Sequence, residues 1–359
     1  MVNRNNIGII TQLYNANYGG ILQIYALMTY LRNEGYNVKY INRQYPEKNK
    51  MLKLLRDIAK FIIQKNRKRN KKNNKLNIFF LQHIQPRTKP ICTRNDFKNL
   101  NKEHFTTIIA GSDQIWRPGP LLEDYFLGFT NLLNYNVHKI AYSASFGVDE
   151  WLFNTETTIK LKQLATKFNA VSVRESSGIE LCEKYLGVNA QLTLDPTFLL
   201  PPEHYISLIG ERKDKEPYIA SYILDMNDDK RQICSYISNK CSLPIHHIHQ
   251  TDNNKVRQSI PSWLKNIYEA DFVITDSFHG TVFSIIFNKP FIAIGNKERG
   301  MSRFTSLLTL FSLENRLLTT YDQIEINRIL NNPINWKSVN DKKNTLVEIS
   351  KTYLRENIL

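Results

Sequence analysis

The sequence VITDSFHGTVFSII, residues 273–286, places a histidine between two apolar segments. The first segment is typical of a buried strand and the last of a buried helix, so Ser277, His279 and Gly280 fall at the turn between them. An imidazole at such a turn can exchange protons near neutral pH, and the helix N-terminus beside it favours anions. We therefore predict a catalytic His279; the alternative is a residue that only caps the helix.

A second polar motif, NANYGGILQ, joins the first predicted strand to the first predicted helix. Its glycines, Gly19 and Gly20, allow backbone N–H groups at a helix start to approach an anion closely, and Asn17 and Tyr18 belong to the same loop. The motif lacks the GxGxxG pattern, and no acidic residue ends the next strand, which disfavours a nucleotide cofactor. The alternative is a tight strand-to-helix turn.

A third motif, AGSDQIWRP, follows the apolar segment TTIIA. It places Ser112, Asp113 and Gln114 just past a predicted strand, where an acid can act as a base or as a hydrogen-bond acceptor for a sugar. Trp116 has a ring that can stack on a sugar face. The alternative is a turn capped by the aspartate, with the tryptophan packed in the core.

Arginines follow two further predicted strands. VSVRESSG ends a strand with Arg174, whose guanidinium can bind a carboxylate or phosphate with two parallel hydrogen bonds. A structural pair with Glu175 is the alternative. NKERGMSRF contains Arg299 and Arg303, which gather positive charge at the same predicted sheet edge as His279, unless they only form a solvated helix start.

The sequence predicts no metal site and no organic cofactor. HHIH, residues 246–249, has the composition of a metal site, but on a strand His247 and His249 face one side and His246 the other. Asp252 is the one carboxylate close by in the sequence. The four cysteines are scattered without a CxxC pair, which disfavours a zinc site or a disulfide framework.

The elements that carry these motifs alternate between strand and helix patterns, which predicts an α/β protein with parallel sheets. The pattern breaks near residues 200–215, so we expect two Rossmann-like lobes facing a cleft, 1–205 and 206–337. Residues 338–359 predict a last helix that packs back on the first lobe. Because ligands bind at the carboxyl ends of strands in open parallel sheets, we expect the site in the cleft.

The net charge of +15 is concentrated in residues 48–75, which hold twelve Lys or Arg and one acid. This segment carries +11 and the rest of the chain +4, so a nucleic-acid partner is not predicted, and no nucleic-acid-binding motif accompanies it. Its apolar residues have helical spacing, which indicates a basic amphipathic insertion, about 48–82, that contacts an anionic membrane surface. A solvated insertion is the alternative. Without a signal peptide or an apolar run of about 18–20 residues, we expect a cytoplasmic protein.

Five motifs in order resemble the polysaccharide pyruvyl transferases: NYGGILQIYAL, AGSDQIW, the arginine of VSVRE, LDPT and ITDSFHGTVFSIIFNKPFI. The resemblance spans about residues 7–310. It implies a GT-B-like fold and the transfer of pyruvate from phosphoenolpyruvate to two hydroxyls of one sugar, which forms a cyclic ketal without an organic cofactor.

The resemblance also implies roles for individual residues. His279 is expected to donate a proton or bind phosphate, Arg174 to clamp the donor anion, and Asp113 to activate the sugar hydroxyl. Many members have Arg-Leu-His where this chain has Ser277-Phe278-His279, and that arginine helps to bind phosphoenolpyruvate. We expect Arg299 or Arg303 to supply the missing charge.

Sugar acceptors in capsule or exopolysaccharide assembly are often carried on a polyprenyl diphosphate in the inner leaflet. The basic insertion is therefore expected to hold the enzyme on the inner face of the cell membrane as a peripheral protein. Two other readings stay open: a GT-B glycosyltransferase that uses a nucleotide-sugar, and a non-catalytic sugar-binding protein of a capsule locus.

Overall fold

The computed structural model describes residues 6–14, 17–45, 75–210, 216–248, 258–295 and 300–359, and two parallel β-sheets form its framework. Most of the predicted basic insertion lies outside the described residues, and so does Arg299. The predicted α/β class with two facing Rossmann-like lobes is confirmed.

The first lobe is a sheet that is covered by helices on both faces. Its strands are β1 (Asn6–Ile10), β2 (Asn37–Tyr40), β3 (Thr107–Ala110), β4 (His138–Ala144), β5 (Ala170–Val173) and β6 (Gln191–Leu192). They pair in parallel in the order β2-β1-β3-β4-β5-β6. Its helices are α1 (Tyr18–Asn33), α2 (Lys75–His83), α3 (Leu122–Tyr125), α4 (Thr155–Ala165) and α5 (Ser176–Leu181).

Side chains alternate across this sheet and so fill two cores. Ile109 of β3 packs in the cluster that contains α1, whereas its neighbour Ile108 packs in the cluster that contains Leu161 of α4. Both isoleucines are fully buried. A strand that is buried on both faces must be apolar throughout, which explains why TTIIA reads as a continuous apolar run.

The second lobe repeats this arrangement. Its strands are β7 (Ile219–Tyr222), β8 (Ile245–His247), β9 (Phe272–Thr275), β10 (Phe291–Ile294) and β11 (Leu317–Leu318), paired in parallel in the order β11-β10-β9-β7-β8. Its helices are α6 (Pro202–Ile209), α7 (Asp228–Cys241), α8 (Ile260–Tyr268), α9 (Phe278–Ile286), α10 (Ser302–Phe311) and α11 (Gln323–Asn331).

One hydrophobic cluster continues from the first lobe into the second. Tyr18, the first residue of α1, stacks on Trp263 of α8 with ring centroids 5.2 Å apart. Burial of an aromatic side chain contributes about 1.5–3 kcal/mol, so contacts of this kind hold the lobes together beside the cleft.

The last helix, α12 (Trp336–Asn357), returns to the first lobe. The hydroxyl of Tyr353 donates a hydrogen bond to the carbonyl of Ala141 in β4, at 2.8 Å. The hydroxyl of Ser350 accepts one from the backbone N–H of Leu194, at 2.9 Å. None of the described helices is long and apolar enough to cross a membrane.

Candidate active site

A cavity of about 220 Å³ lies between the lobes, at the carboxyl ends of strands from both sheets. The first lobe supplies the residues after β1 and β3, and the second supplies the turn after β9 and the first turn of α10. The lining residues are Gln12, Asn17, Asp113, Gln114, Arg117, Leu224, Asp276, Ser277, Phe278, His279, Arg303 and Phe304.

The turn after β9 fixes the position of His279. The hydroxyl of Thr275 donates to the carbonyl of Tyr222 at 2.7 Å and accepts from the backbone N–H of Ser277 at 3.1 Å. Ser277 then caps α9, because its hydroxyl accepts from the N–H of Gly280 at 3.4 Å. A Cβ atom at Gly280 would lie 2.2 Å from the Thr275 hydroxyl, so a glycine is required for the helix to begin this close to the strand.

The imidazole of His279 extends from the second lobe to the surface of the first. A Cβ atom at Gly19 would lie 1.9 Å from Nδ1 of His279, so the glycine leaves the space that the ring fills. Nε2 lies 3.6 Å from Oδ2 of Asp195, which is longer than a hydrogen bond. Nε2 is buried and has no hydrogen-bond partner among the described residues. Gly19 therefore makes room for the side chain of His279, whereas the sequence predicted that it makes room for an anion.

Behind His279, Arg174 bridges two carboxylates of the first lobe. Its Nη1 donates to Oδ2 of Asp195 at 2.9 Å and its Nη2 to Oδ1 of Asp113 at 3.1 Å. The side chain is 1% exposed and does not line the cavity. This corrects the expected direct contact between Arg174 and a donor anion: its charge is already occupied, and it positions Asp113 and Asp195.

The positive charges of Arg174 and His279 keep Asp113 and Asp195 ionised. Burial alone raises the pKa of Asp195, but the contact with His279 and the charges of His279 and Arg174 outweigh it and hold that pKa below its usual range. For Asp113, burial is likewise outweighed by the charges of Arg174, His279 and Arg303, so its pKa is lowered. Burial disfavours the charge of Arg174, yet Asp113 and Asp195 together raise its pKa.

Asp113 presents a carboxylate to the cavity from a turn that follows β3. Its φ of 81° lies in the left-handed region, which aspartate tolerates better than most residues. Oδ1 accepts hydrogen bonds from Arg174 and from the N–H of Gln114, at 2.9 Å for the latter. Among the described residues these contacts leave Oδ2 for a ligand.

Two arginines bring positive charge to the cavity. Arg303, in the first turn of α10, packs against the ring of Phe278 at 5.7 Å, and Arg174 packs on the same ring at 4.6 Å. Burial and repulsion from Arg174 lower the pKa of Arg303 to about 10, so Arg303 is still charged at neutral pH. Arg117 was not predicted; its Nη1 donates to the amide oxygen of Gln114 at 3.0 Å.

Several predicted residues lie away from the cavity. Trp116 is fully buried and stacks on Phe126 at 4.8 Å, which corrects its expected role as a sugar platform in favour of core packing. Ser112 is buried with its hydroxyl 3.4 Å from Oδ2 of Asp195, and Tyr18 packs on Trp263. Gly20 and Gly280 are not among the lining residues either.

No group of three or more His, Cys, Asp or Glu among the described residues is placed to hold a metal ion. In the HHIH motif, the ring of His246 stacks on Tyr218 with centroids 4.2 Å apart. His246 is itself exposed, so its ring covers the buried Tyr218 from the surface of the second lobe.

Two facing lobes with a charged cavity at their strand ends define a protein of the GT-B-like class. Solved structures support this class: a UDP-N-acetylglucosamine 2-epimerase from Rickettsia bellii superposes with a TM-score of 0.54 at 10% identity, covering 98% of this chain and 95% of that chain. The enzyme from Neisseria meningitidis bound to UDP-GlcNAc gives 0.52 at 8% identity, covering 95% and 98%. At these identities the likeness shows the fold alone.

The sequence identifies the family. The model of the family described as polysaccharide pyruvyl transferase matches residues 17–298, and the chain belongs to this family. The predicted resemblance is therefore confirmed. No curated protein matches the sequence.

Proposed function

We propose that this protein transfers a pyruvyl group from phosphoenolpyruvate to two hydroxyls of a sugar and forms a cyclic ketal. The observation that supports this best is the convergence of Arg303, Arg117, His279 and Asp113 on one small cavity. Phosphoenolpyruvate carries a carboxylate and a phosphate, and two arginines together with the N-terminus of α9 at Ser277 are suited to bind both. The imidazole and the carboxylate then provide an acid and a base.

The residues suit the expected steps. Transfer of a proton from His279 to the methylene carbon of phosphoenolpyruvate makes a methyl group and leaves an oxocarbenium-like carbon. One sugar hydroxyl adds to that carbon and its proton passes to a base. Phosphate then leaves with the electron pair of its C–O bond, the second hydroxyl closes the ring, and its proton passes to the imidazole of His279, which restores the acid. Asp113 is a weak base because its pKa is lowered, so its role is to orient the hydroxyl and accept its proton as the C–O bond forms.

Arg303 supplies the positive charge that is missing at Ser277, the position that departs from the family pattern. Ser277 caps α9 and has no charge, whereas Arg303 lines the same cavity and lies over the ring of Phe278. We therefore assign the donor-binding charge to Arg303.

The size of the cavity favours a small donor over a nucleotide-sugar. Sites for drug-sized ligands usually enclose about 300–1,000 Å³, and the cavity among the described residues is about 220 Å³. A three-carbon phosphate ester suits this volume better than a nucleoside diphosphate that carries a sugar. The nucleotide-sugar reading is thus the alternative for the experiment to exclude.

The test is release of phosphate from phosphoenolpyruvate with a panel of p-nitrophenyl galactosides, glucosides and N-acetylmannosaminides, together with calorimetric binding of phosphoenolpyruvate. His279→Gln is expected to lower kcat by about 10²–10⁴-fold because the proton donor is lost. Arg303→Met is expected to weaken phosphoenolpyruvate binding by about 10-fold or more through loss of a charged contact.

The Arg303→Met variant has a second signature. Because Arg303 is buried beside Arg174, its removal should leave the free energy of unfolding unchanged or raised. The exposed Arg231 serves as the matched control, and Arg231→Met should change neither binding nor turnover. Binding of a uridine diphosphate-sugar with no binding of phosphoenolpyruvate would overturn the proposal, and full activity in His279→Gln would favour the non-catalytic reading.

We further propose a lipid-linked acceptor at the inner face of the cell membrane, on the basis of the +11 charge of residues 48–75. Deletion of this segment is expected to abolish sedimentation with vesicles that contain anionic lipid, because basic residues near such a surface contribute about 1 kcal/mol each. Phosphate release with a water-soluble glycoside should persist. Unchanged vesicle binding after the deletion contradicts the membrane proposal.

A further inference from the structure

A second cavity, of about 290 Å³, adjoins the first in the first lobe. Gln12, Gln114 and Arg117 line both cavities and so belong to a boundary that the two share. A ligand in the second cavity and a ligand in the first would therefore contact the same three side chains. Group transfer requires adjacent ligands, because the reacting atoms must come within about 3–3.5 Å of each other.

The second cavity has the lining of a site for a neutral, hydroxyl-rich ring. Three tyrosines contribute to it: Tyr14, Tyr45 and Tyr125. Of the described residues that line it, Arg117 alone carries a charge, while Gln12 and Gln114 offer amide donors and acceptors. Aromatic faces with a few placed polar groups bind ligands that have one apolar face and several hydrogen-bonding edges.

Tyr45 is the exposed member of this group. It is 60% exposed, which is unusual for an aromatic side chain, while Tyr125 is 7% exposed. An exposed ring at a cavity rim loses water contact when a ligand covers it, which favours binding. Lys48, the first residue of the basic segment, follows Tyr45 by three positions.

We infer that the cavity lined by Tyr14, Tyr45 and Tyr125 is the acceptor subsite and takes a pyranose ring, which stacks on Tyr45. This inference rests on the proposed function for the identity of the transferred group. The amides of Gln12 and Gln114, on the shared boundary, hold the pyranose with two of its hydroxyls toward the donor cavity.

The variants Tyr45→Ala and Tyr45→Phe test the inference, with Ile324→Ala as a matched control that removes an exposed apolar side chain elsewhere. Binding of the p-nitrophenyl glycosides is followed by saturation-transfer NMR, and the KM values for glycoside and phosphoenolpyruvate by phosphate release. Tyr45→Ala is expected to weaken glycoside binding and raise the glycoside KM roughly 3- to 10-fold, as expected for loss of one aromatic contact.

The KM for phosphoenolpyruvate should not change in Tyr45→Ala, and Ile324→Ala should behave as the wild type. Tyr45→Phe keeps the aromatic ring and should therefore restore most of the glycoside binding that Tyr45→Ala loses. Glycoside binding that is equal in Tyr45→Ala and wild type, or that is seen with no glycoside of the panel, overturns the acceptor subsite. Tyr45-dependent glycoside binding without phosphoenolpyruvate turnover supports the subsite and instead counts against the proposed donor, so the two failures are distinguishable.

Discussion

Gly19→Ala is expected to abolish turnover while the protein remains folded. The new Cβ atom would lie 1.9 Å from Nδ1 of His279, so the imidazole must leave its observed position. A displacement of about 1 Å at a reacting group can lower the rate by about 100-fold, and we expect at least that loss in kcat for phosphate release. Circular dichroism and the melting temperature should remain close to those of the wild type.

Gly35→Ala provides the control for loss of a glycine. Gly35 has a φ of 89°, and a Cβ atom there would meet no described atom within 4 Å. The substitution is expected to lower the free energy of unfolding by about 1 kcal/mol without a change in kcat. If Gly19→Ala keeps wild-type kcat, then catalysis does not depend on the observed position of His279.

Asp195→Ala is expected to destabilise the protein by about 3–5 kcal/mol and to lower kcat. The substitution removes the buried partner of Nη1 of Arg174 and leaves a guanidinium that is 1% exposed with less compensation. It also removes the cap of the Pro196–Leu199 turn, because Oδ1 of Asp195 accepts from the N–H of Thr197 at 3.1 Å. Urea denaturation measures the free energy of unfolding, and phosphate release measures kcat.

Asp195→Asn keeps the shape of the side chain and isolates the effect of its charge. Because the pKa of Asp195 is lower in the folded protein than in the unfolded chain, its ionisation stabilises the fold above about pH 4, and this contribution is lost as the pH falls below that. Asp195→Asn should therefore lose less stability than the wild type on acidification. If the free energy of unfolding of Asp195→Asn falls on acidification as steeply as that of the wild type, the ionisation of Asp195 does not stabilise the fold.

Asp124→Asn is the matched control for a buried ion pair that neither lines the donor cavity nor contacts His279. Asp124 accepts a hydrogen bond from Nε of Arg43 at 2.7 Å, and its side chain is 10% exposed. Its replacement should lower the free energy of unfolding and leave kcat of the folded protein unchanged. The comparison separates the cost of an uncompensated buried charge from the specific effect on His279.

Local patterns were sufficient to predict the fold. The alternation of apolar runs and helical spacing gave parallel sheets, because strands buried on both faces must be apolar. The same reasoning placed Asp113, Ser277 and His279 at strand ends, and the structure puts all three on the cavity wall. Arg303 also reaches the cavity, from the first turn of α10.

Contacts between lobes could not be predicted in the same way. The contact of Gly19 with His279 joins residues 260 positions apart, and no local pattern encodes which residues will meet across a cleft. The burial of Trp116 depends on Phe126, which follows ten positions later, directly after α3. Arg117 stands in the AGSDQIWRP motif, directly after Trp116, and its charge is the signal that marks it as a binding residue.

Asp195 illustrates an intermediate case. The LDPT motif was visible, and an aspartate before a proline is typical of a capped turn. In the structure, Oδ1 of Asp195 caps the turn, and Oδ2 accepts a hydrogen bond from Arg174. The second role requires the packing of β5 beside β6, which is tertiary information.

The return of α12 to the first lobe has a mechanical consequence. The chain passes from the first lobe to the second before α6 and comes back at α12, which Tyr353 and Ser350 anchor to the first sheet region. A body that is tethered to another at two points can swing about the line through them but resists sliding and twisting. If the cleft opens, the two chain crossings would restrict the motion to a rotation about the line through them, and that rotation would carry His279 away from Gly19.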